Sequence, residues 1–151
     1  DLTIPAILQG KEPSVVARVE ETLKAVSANP DEPELWRRLG YVYEANLLLA
    51  LALESYQKSL SIDATQPKAW YRAAKIKMSM GDRVGAIAAA QRVVELAPDF
   101  APIRLRLGFW QLEQGHLEQA QTSFERALAL DAEDPAGWWG LARVFLQKQQ
   151  P

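Results

Sequence analysis

Apolar residues recur along nearly the whole chain with the spacing of one helix face. Trp36, Leu39, Gly40 and Tyr43 stand at offsets of 0, 3, 4 and 7, and so do Trp138, Leu141, Ala142 and Phe145. Residues at those offsets share one side of an α-helix, whereas a strand would alternate apolar and polar positions. No alternating pattern occurs, and Gly and Pro fall between the apolar runs, where they end helices. The pattern predicts a helix over 14–28, with Val15, Val16, Val19, Leu23 and Val26 on its apolar side. Pairs follow at 33–46 and 49–61, 67–80 and 83–96, and 101–114 and 117–130, then a single helix over 135–149. Pro33, Pro67 and Pro135 stand at helix starts, where a missing N–H costs nothing. Residues 1–12 read as irregular, broken by Pro5 and Gly10.

The helical face itself repeats. Trp36, Trp70 and Trp138 are separated by 34 and then 68 residues, with Arg104 on the skipped mark. Three residues after each mark come Leu39, Ala73, Leu107 and Leu141; four after come Gly40, Ala74, Gly108 and Ala142; sixteen after come Ala52, Ala86 and Ala120. A fixed period of this size marks stacked supersecondary units, each burying its apolar face against its neighbours. The small residue at offset four lets a second helix approach closely, because interaxial distance follows the side chains at the contact.

These residues resemble the tetratricopeptide repeat family, whose pattern runs W-x2-L-G-x2-Y, then A-x3-F, then Pro. Trp36, Leu39, Gly40, Tyr43, Ala52 and Tyr56 match it in the first unit. Trp70, Ala86, Pro98 and the Gly81-Asp82 turn match it in the second, and Leu107, Gly108, Gly115, Ala120, Phe124 and Ala127 in the third. Lys77 and Gln111 stand where the family prefers Tyr, and Arg104 where it prefers Trp. The resemblance covers residues 14 to 149. It implies an all-α, right-handed solenoid of helix-turn-helix repeats, about three full repeats plus flanking single helices. The parse is an irregular segment at 1–12, a capping or half-repeat helix at 13–32, repeats at 33–66, 67–100 and 101–134, and at 135–151 the first helix of a fourth repeat or a cap.

Composition narrows the function. A chain of 151 residues suits one domain with a real core. No run approaches the roughly 20 apolar residues of a membrane span, and no signal peptide is visible, so a soluble cytoplasmic or periplasmic protein is expected, the compartment staying open. The chain starts at Asp1, which reads as a processed or excised piece. Cysteine is absent, and the formal net charge of −2 argues against broad nucleic-acid binding. The one histidine, His116, sits in a turn as a solvated residue. No cluster of metal ligands, nucleophile motif or phosphate-cradling loop is present, so no cofactor, metal or catalytic residue is expected.

In this family the first helices line a concave groove that generally holds a peptide or partner helix. Carrying those offsets onto the chain places Arg38, Tyr41, Lys68, Tyr71, Arg72, Lys75, Arg106, Phe109, Trp139 and Arg143 on the groove. Arg38, Arg72 and Arg106 share one offset, and aromatic residues lie beside them. Arg presents a donor fork suited to carboxylates, so the expected partner is a protein or peptide with acidic and apolar side chains. The bland reading of Arg38 is a solvated pair with Glu34; for Arg72, next to Lys68 and Lys75, it is neutralisation by acids of a neighbouring repeat. The chaperone-tail clamp is not expected, since Tyr41, Arg72 and Pro102 replace its Asn, Asn and Lys. Two apolar features point instead to self-association: Leu48 and Leu51 of the leucine run at 47–53, which either pack against residues 1–12 or form a contact, and the bare helix bearing Trp138 and Phe145, which reads as truncated or as a dimer face. The function expected is a protein-interaction scaffold or adaptor; the alternatives are a homo-oligomerisation module or the interaction domain of a larger, enzymatic protein.

Overall fold

The computed structural model describes residues 5–149. Among them are helices α1 (Pro13–Ala28), α2 (Pro33–Ala45), α3 (Leu49–Ile62), α4 (Pro67–Ser79), α5 (Arg83–Leu96), α6 (Ala101–Glu113), α7 (Leu117–Leu130) and α8 (Pro135–Lys148), with no strand. The irregular segment contains one 3-10 turn, Ala6–Leu8, with Leu8 buried; its first four residues lie outside the described part. The chain divides into two compact units, Asp1–Ile76 and Lys77–Pro151, and the division falls inside α4.

The repeat mark has a specific local task. The indole Nε1–H of Trp36 donates to the carbonyl of Pro30 at 2.7 Å, that of Trp70 to Ala64 at 2.8 Å, and that of Trp138 to Ala132 at 2.8 Å. Arg104 makes the same bond from its Nε–H to the carbonyl of Pro98 at 2.9 Å. Each of the four ties a helix start to the carbonyl six residues before it, fixing the loop that enters the helix. The substitution at 104 thus keeps the donor and changes only the body of the side chain. The other two departures are also satisfied: Ser123 Oγ donates to Gln111 Oε1 at 2.7 Å, and Lys77 Nζ bonds Asp82 at 2.9 Å.

The small residue at offset four fits one ring. A Cβ added to Gly40 would lie 2.6 Å from the Tyr56 ring, and one added to Gly108 would lie 2.8 Å from the Phe124 ring. Both rings are fully buried. Gly140 also closes on Phe124, and a Cβ there would come within 2.4 Å of the same ring.

Turns within the helix pairs share a left-handed residue at the same register: Leu47 (φ 61°), Gly81 (φ 86°) and Gly115 (φ 76°). The following N–H groups of Leu48, Asp82 and His116 donate back to the carbonyls of Tyr43, Lys77 and Gln111 at 3.0, 2.9 and 2.9 Å. Glycine adopts this conformation freely; a residue with a Cβ pays about 1–2 kcal/mol. Leu47 is therefore held strained by the same backbone bonds, with its side chain 82% exposed.

The leucine run divides into packed and exposed positions. Leu48 is only 7% exposed and belongs to the core with Leu8, Leu39 and Tyr56, while Leu49, Leu51 and Leu53 pack against that core. Leu51 lines one small cavity together with Pro5 and Leu23. Leu48 is thus buried inside its own unit, and Leu51 is half-buried there. The physical reason is the 3-10 turn at Ala6–Leu8, which covers the leucines that a polar turn would have left bare. The exposed residue of the run is Leu47.

Candidate functional site

In the first unit the groove positions converge on one carboxylate. Glu44, near the end of α2, accepts from the Tyr56 hydroxyl at 2.8 Å and from Arg72 Nη1 at 3.1 Å, with Lys75 Nζ at 3.8 Å. The Arg72 guanidinium also lies 5.1 Å over the Tyr41 ring, and Tyr41 meets Tyr56 edge-to-face at 5.7 Å. Lys75 Nζ stands 5.8 Å over the Tyr71 ring. Burial, then the bond to Glu44 and its charge, pushes the Tyr56 hydroxyl above its ordinary range, so it remains a donor. Glu44 is the acid that neutralises Arg72, so that arginine is a paired group. One carboxylate shared by two cations leaves the cluster with a net positive charge. Tyr41, Glu44, Ala45 and Arg72 line an open cavity of about 410 Å³.

Arg38 does not pair with Glu34. Glu34 pairs with Arg37 three residues on, and Arg38 reaches Glu21 of α1 at 3.7 Å. The helix spacing allowed either partner, and packing of α1 beside α2 supplied the second acid. Arg38, Glu21, Arg18 and Tyr41 line a groove of about 590 Å³ between these helices. Lys68 is exposed on the first turn of α4.

In the second unit the groove positions build an aromatic ledge. Phe109 meets Phe124 edge-to-face at 4.8 Å and stands 5.6 Å from the Trp139 ring. The Arg143 guanidinium lies 4.8 Å over Trp139, which is 58% exposed. Arg106 is exposed on α6. The structure therefore gathers Tyr41, Tyr71, Arg72 and Lys75 in one unit and Phe109, Trp139 and Arg143 in the other. The role of Glu44 went unread in the sequence. The available signal was its register: Glu44 and Tyr56 become Leu112 and Phe124 at a spacing of 68 residues, so acid and hydroxyl change together.

Among the described residues, no group of three or more His, Cys, Asp or Glu is placed to hold a metal ion, and no helix is long and apolar enough to cross a membrane. The arrangement is a pair of ledges, each a cation stacked on an aromatic ring.

Comparison with known proteins agrees with this geometry. Two tetratricopeptide repeat models match residues 16–67 and 77–138. DnaJ homolog subfamily C member 3 of Rattus norvegicus is 35% identical over 80 residues, which is 53% of this chain and 16% of that protein. The chain thus spans a small part of the curated relative. Among solved structures, MamA superposes with a TM-score of 0.82 at 21% identity, covering 98% of this chain and 86% of MamA. The first tetratricopeptide domain of Spaghetti (RPAP3), bound to an HSP90 peptide SRMEEVD, gives 0.71 at 18% identity over 79% of this chain and 94% of that one. At these identities the structural likenesses show the fold. With the 34-residue register, the ring-on-glycine packing and both repeat models in agreement, the chain belongs to the tetratricopeptide repeat family.

Proposed function

We propose that this chain is a protein-interaction module that recognises a partner presenting acidic and apolar side chains. The observation that carries the reading is the sharing of Glu44 by Arg72 and Lys75, which leaves one positive charge on a ledge of tyrosine rings. Arg72 is oriented by Glu44 and by the Tyr41 face, so a partner carboxylate would meet a fork that is already fixed. Apolar groups of the partner would meet the Tyr41 and Tyr71 rings of the same unit.

The test is selection from a random-peptide display library against the full chain, followed by anisotropy titration of the selected peptides. Peptides rich in Asp and Glu are expected. Lys75→Glu, which keeps the Glu44–Arg72 bond, should weaken them by about tenfold, roughly 1.4 kcal/mol, and raised salt should weaken them further. Selected peptides without acidic enrichment, or an affinity indifferent to Lys75→Glu, would refute the reading.

A further inference from the structure

Glu44 does more than orient Arg72. It lines the open cavity together with Tyr41, Ala45 and Arg72, so its charge acts on any group that enters. Both of its oxygens are engaged within the chain: Oε2 accepts from the Tyr56 hydroxyl at 2.8 Å and Oε1 from Arg72 at 3.1 Å. Its side chain is 17% exposed, whereas those of Arg72 and Lys75 are 38% and 32% exposed. The cations are reachable from solvent and the acid is anchored behind them. An arriving anion cannot displace Glu44 without leaving the hydroxyl of a fully buried ring unbonded, which is costly.

The second unit shows what the acid is not needed for. Arg143 lies over Trp139 at the positions that match Lys75 and Tyr71, and there the position matching Glu44 is Leu112. A cation is seated on its ring in that unit with a leucine at the acid's place. What Glu44 adds is charge. Arg72 and Lys75 bring two positive charges and Glu44 returns one negative, so the cluster keeps one positive charge. A carboxylate neutralises it. A phosphate monoester carries about −1.5 to −2 at pH 7, which would leave negative charge uncompensated beside a carboxylate that cannot move away. Stripping water from the more highly charged group also costs more. Size does not separate the two, because a cavity of about 410 Å³ admits either. We propose, on the basis of the acidic-partner reading above, that Glu44 is the specificity-determining residue of this site: it restricts the ledge to singly charged carboxylates, and a phosphorylated side chain cannot stand in for the acidic one.

The test uses the full chain and one acidic peptide from the display selection, labelled with fluorescein. Its contact residue is the Asp or Glu whose change to Gln weakens binding to the native chain most and binding to Lys75→Glu least. Synthetic versions carry Glu or phosphoserine at that position. Anisotropy titration at neutral pH should show the Glu version binding the native chain about tenfold tighter than the phosphoserine version. Glu44→Gln keeps an acceptor for Tyr56 and removes the charge, so the ratio should fall to one or reverse. A purely structural role would weaken both versions alike and leave the ratio unchanged. Circular dichroism checks the fold. The pair Glu44→Leu with Tyr56→Phe, which copies Leu112 and Phe124, supplies a second uncharged site with the same expected outcome. Equal binding of the two versions to the native chain, or one ratio shared by the native chain and both variants, overturns the proposal. A selection in which no peptide depends on an acidic residue overturns the acidic-partner reading itself, and the selectivity with it.

Discussion

Tyr41 and Tyr56 in the first unit, and Phe109 and Phe124 in the second, stand in the same edge-to-face relation, at 5.7 and 4.8 Å. Lys75 over Tyr71 is matched by Arg143 over Trp139, each pair 68 residues on from the other. The frame is shared, and what it encloses differs. In the first unit the central ring bears a hydroxyl, and around it stand Glu44 to accept from it and Arg72 to balance the acid. At the matching positions the second unit has Phe124, Leu112 and Gly140. With the hydroxyl gone, a carboxylate there would be buried without a donor, so leucine fills the space. The arginine position then closes to glycine so that α8 can sit on the ring itself. One backbone frame thus supports either a polar triad or an apolar ring clamp, and the choice is coordinated over three helices. It also decides the surface, which carries a fixed cation in one unit and an aromatic ledge in the other.

The most damaging way to break this comparison is Gly140→Ala. Its Cβ would lie 2.4 Å from a ring that Gly108 also confines. Overpacking of this kind costs about 1–3 kcal/mol, and urea unfolding followed by circular dichroism should show it. Side chains with a Cβ are native at the matching positions Arg72 and Arg106, so the cost measures the ring and not the backbone. A loss below about 0.5 kcal/mol would mean that the clamp is looser than the packing principle requires.

Next in size is Tyr56→Phe, which converts one centre toward the other while leaving its acid in place. Loss of the donor to a charged acceptor should cost about 1–2 kcal/mol. Adding Glu44→Leu should recover part of it, and a double-mutant cycle reads the coupling. The same pair sets an alkaline limit. The Tyr56 hydroxyl titrates above its ordinary value of 10.0 in the folded state, first through burial and then through Glu44. A raised folded value means that the contribution is complete below pH 10 and is lost as pH climbs through the folded value. Stability measured from pH 8 to 11 should fall in the native chain and fall less in Tyr56→Phe, where only the buried Tyr43 hydroxyl, also pushed up, contributes a tyrosine loss; parallel curves would exclude Tyr56 as a source.

The smallest effect sharpens the turn comparison. Leu47 holds φ 61° where Gly81 and Gly115 hold 86° and 76°. Leu47→Gly should stabilise the chain by up to about 1 kcal/mol, the relief of strain less the added freedom of glycine in the unfolded chain. The melting temperature gives the reading, and a decrease would show that the exposed leucine makes a stabilising contact.

Every helix was legible in the sequence to within one residue at each end, because apolar spacing, proline starts and glycine turns all mark the same boundaries. The period also marked which positions face a second helix, since Gly40 and Gly108 can be understood only with a ring opposite. The arginine row was legible as a row and not as a set of partners. Arg38 had Glu34 at helical spacing, yet its acid is Glu21 on a different helix. Likewise the leucines at 48 and 51 had two readings, packing against residues 1–12 or an outside contact, because the segment that carries Leu8 has no periodicity of its own.

The sequence by itself determined the helices, their register and the small-residue notch at offset four, because these follow from local sterics and a repeat written into the chain. Only the tertiary structure decided which charges meet. Glu44 joins Tyr56 at a separation of 12 residues and Arg72 at 28, distances along the chain that no helical spacing encodes. Ion pairs of exposed side chains form with whatever packing brings within reach, whereas a buried ring admits one neighbour shape, and that difference is why the core was readable and the surface was not.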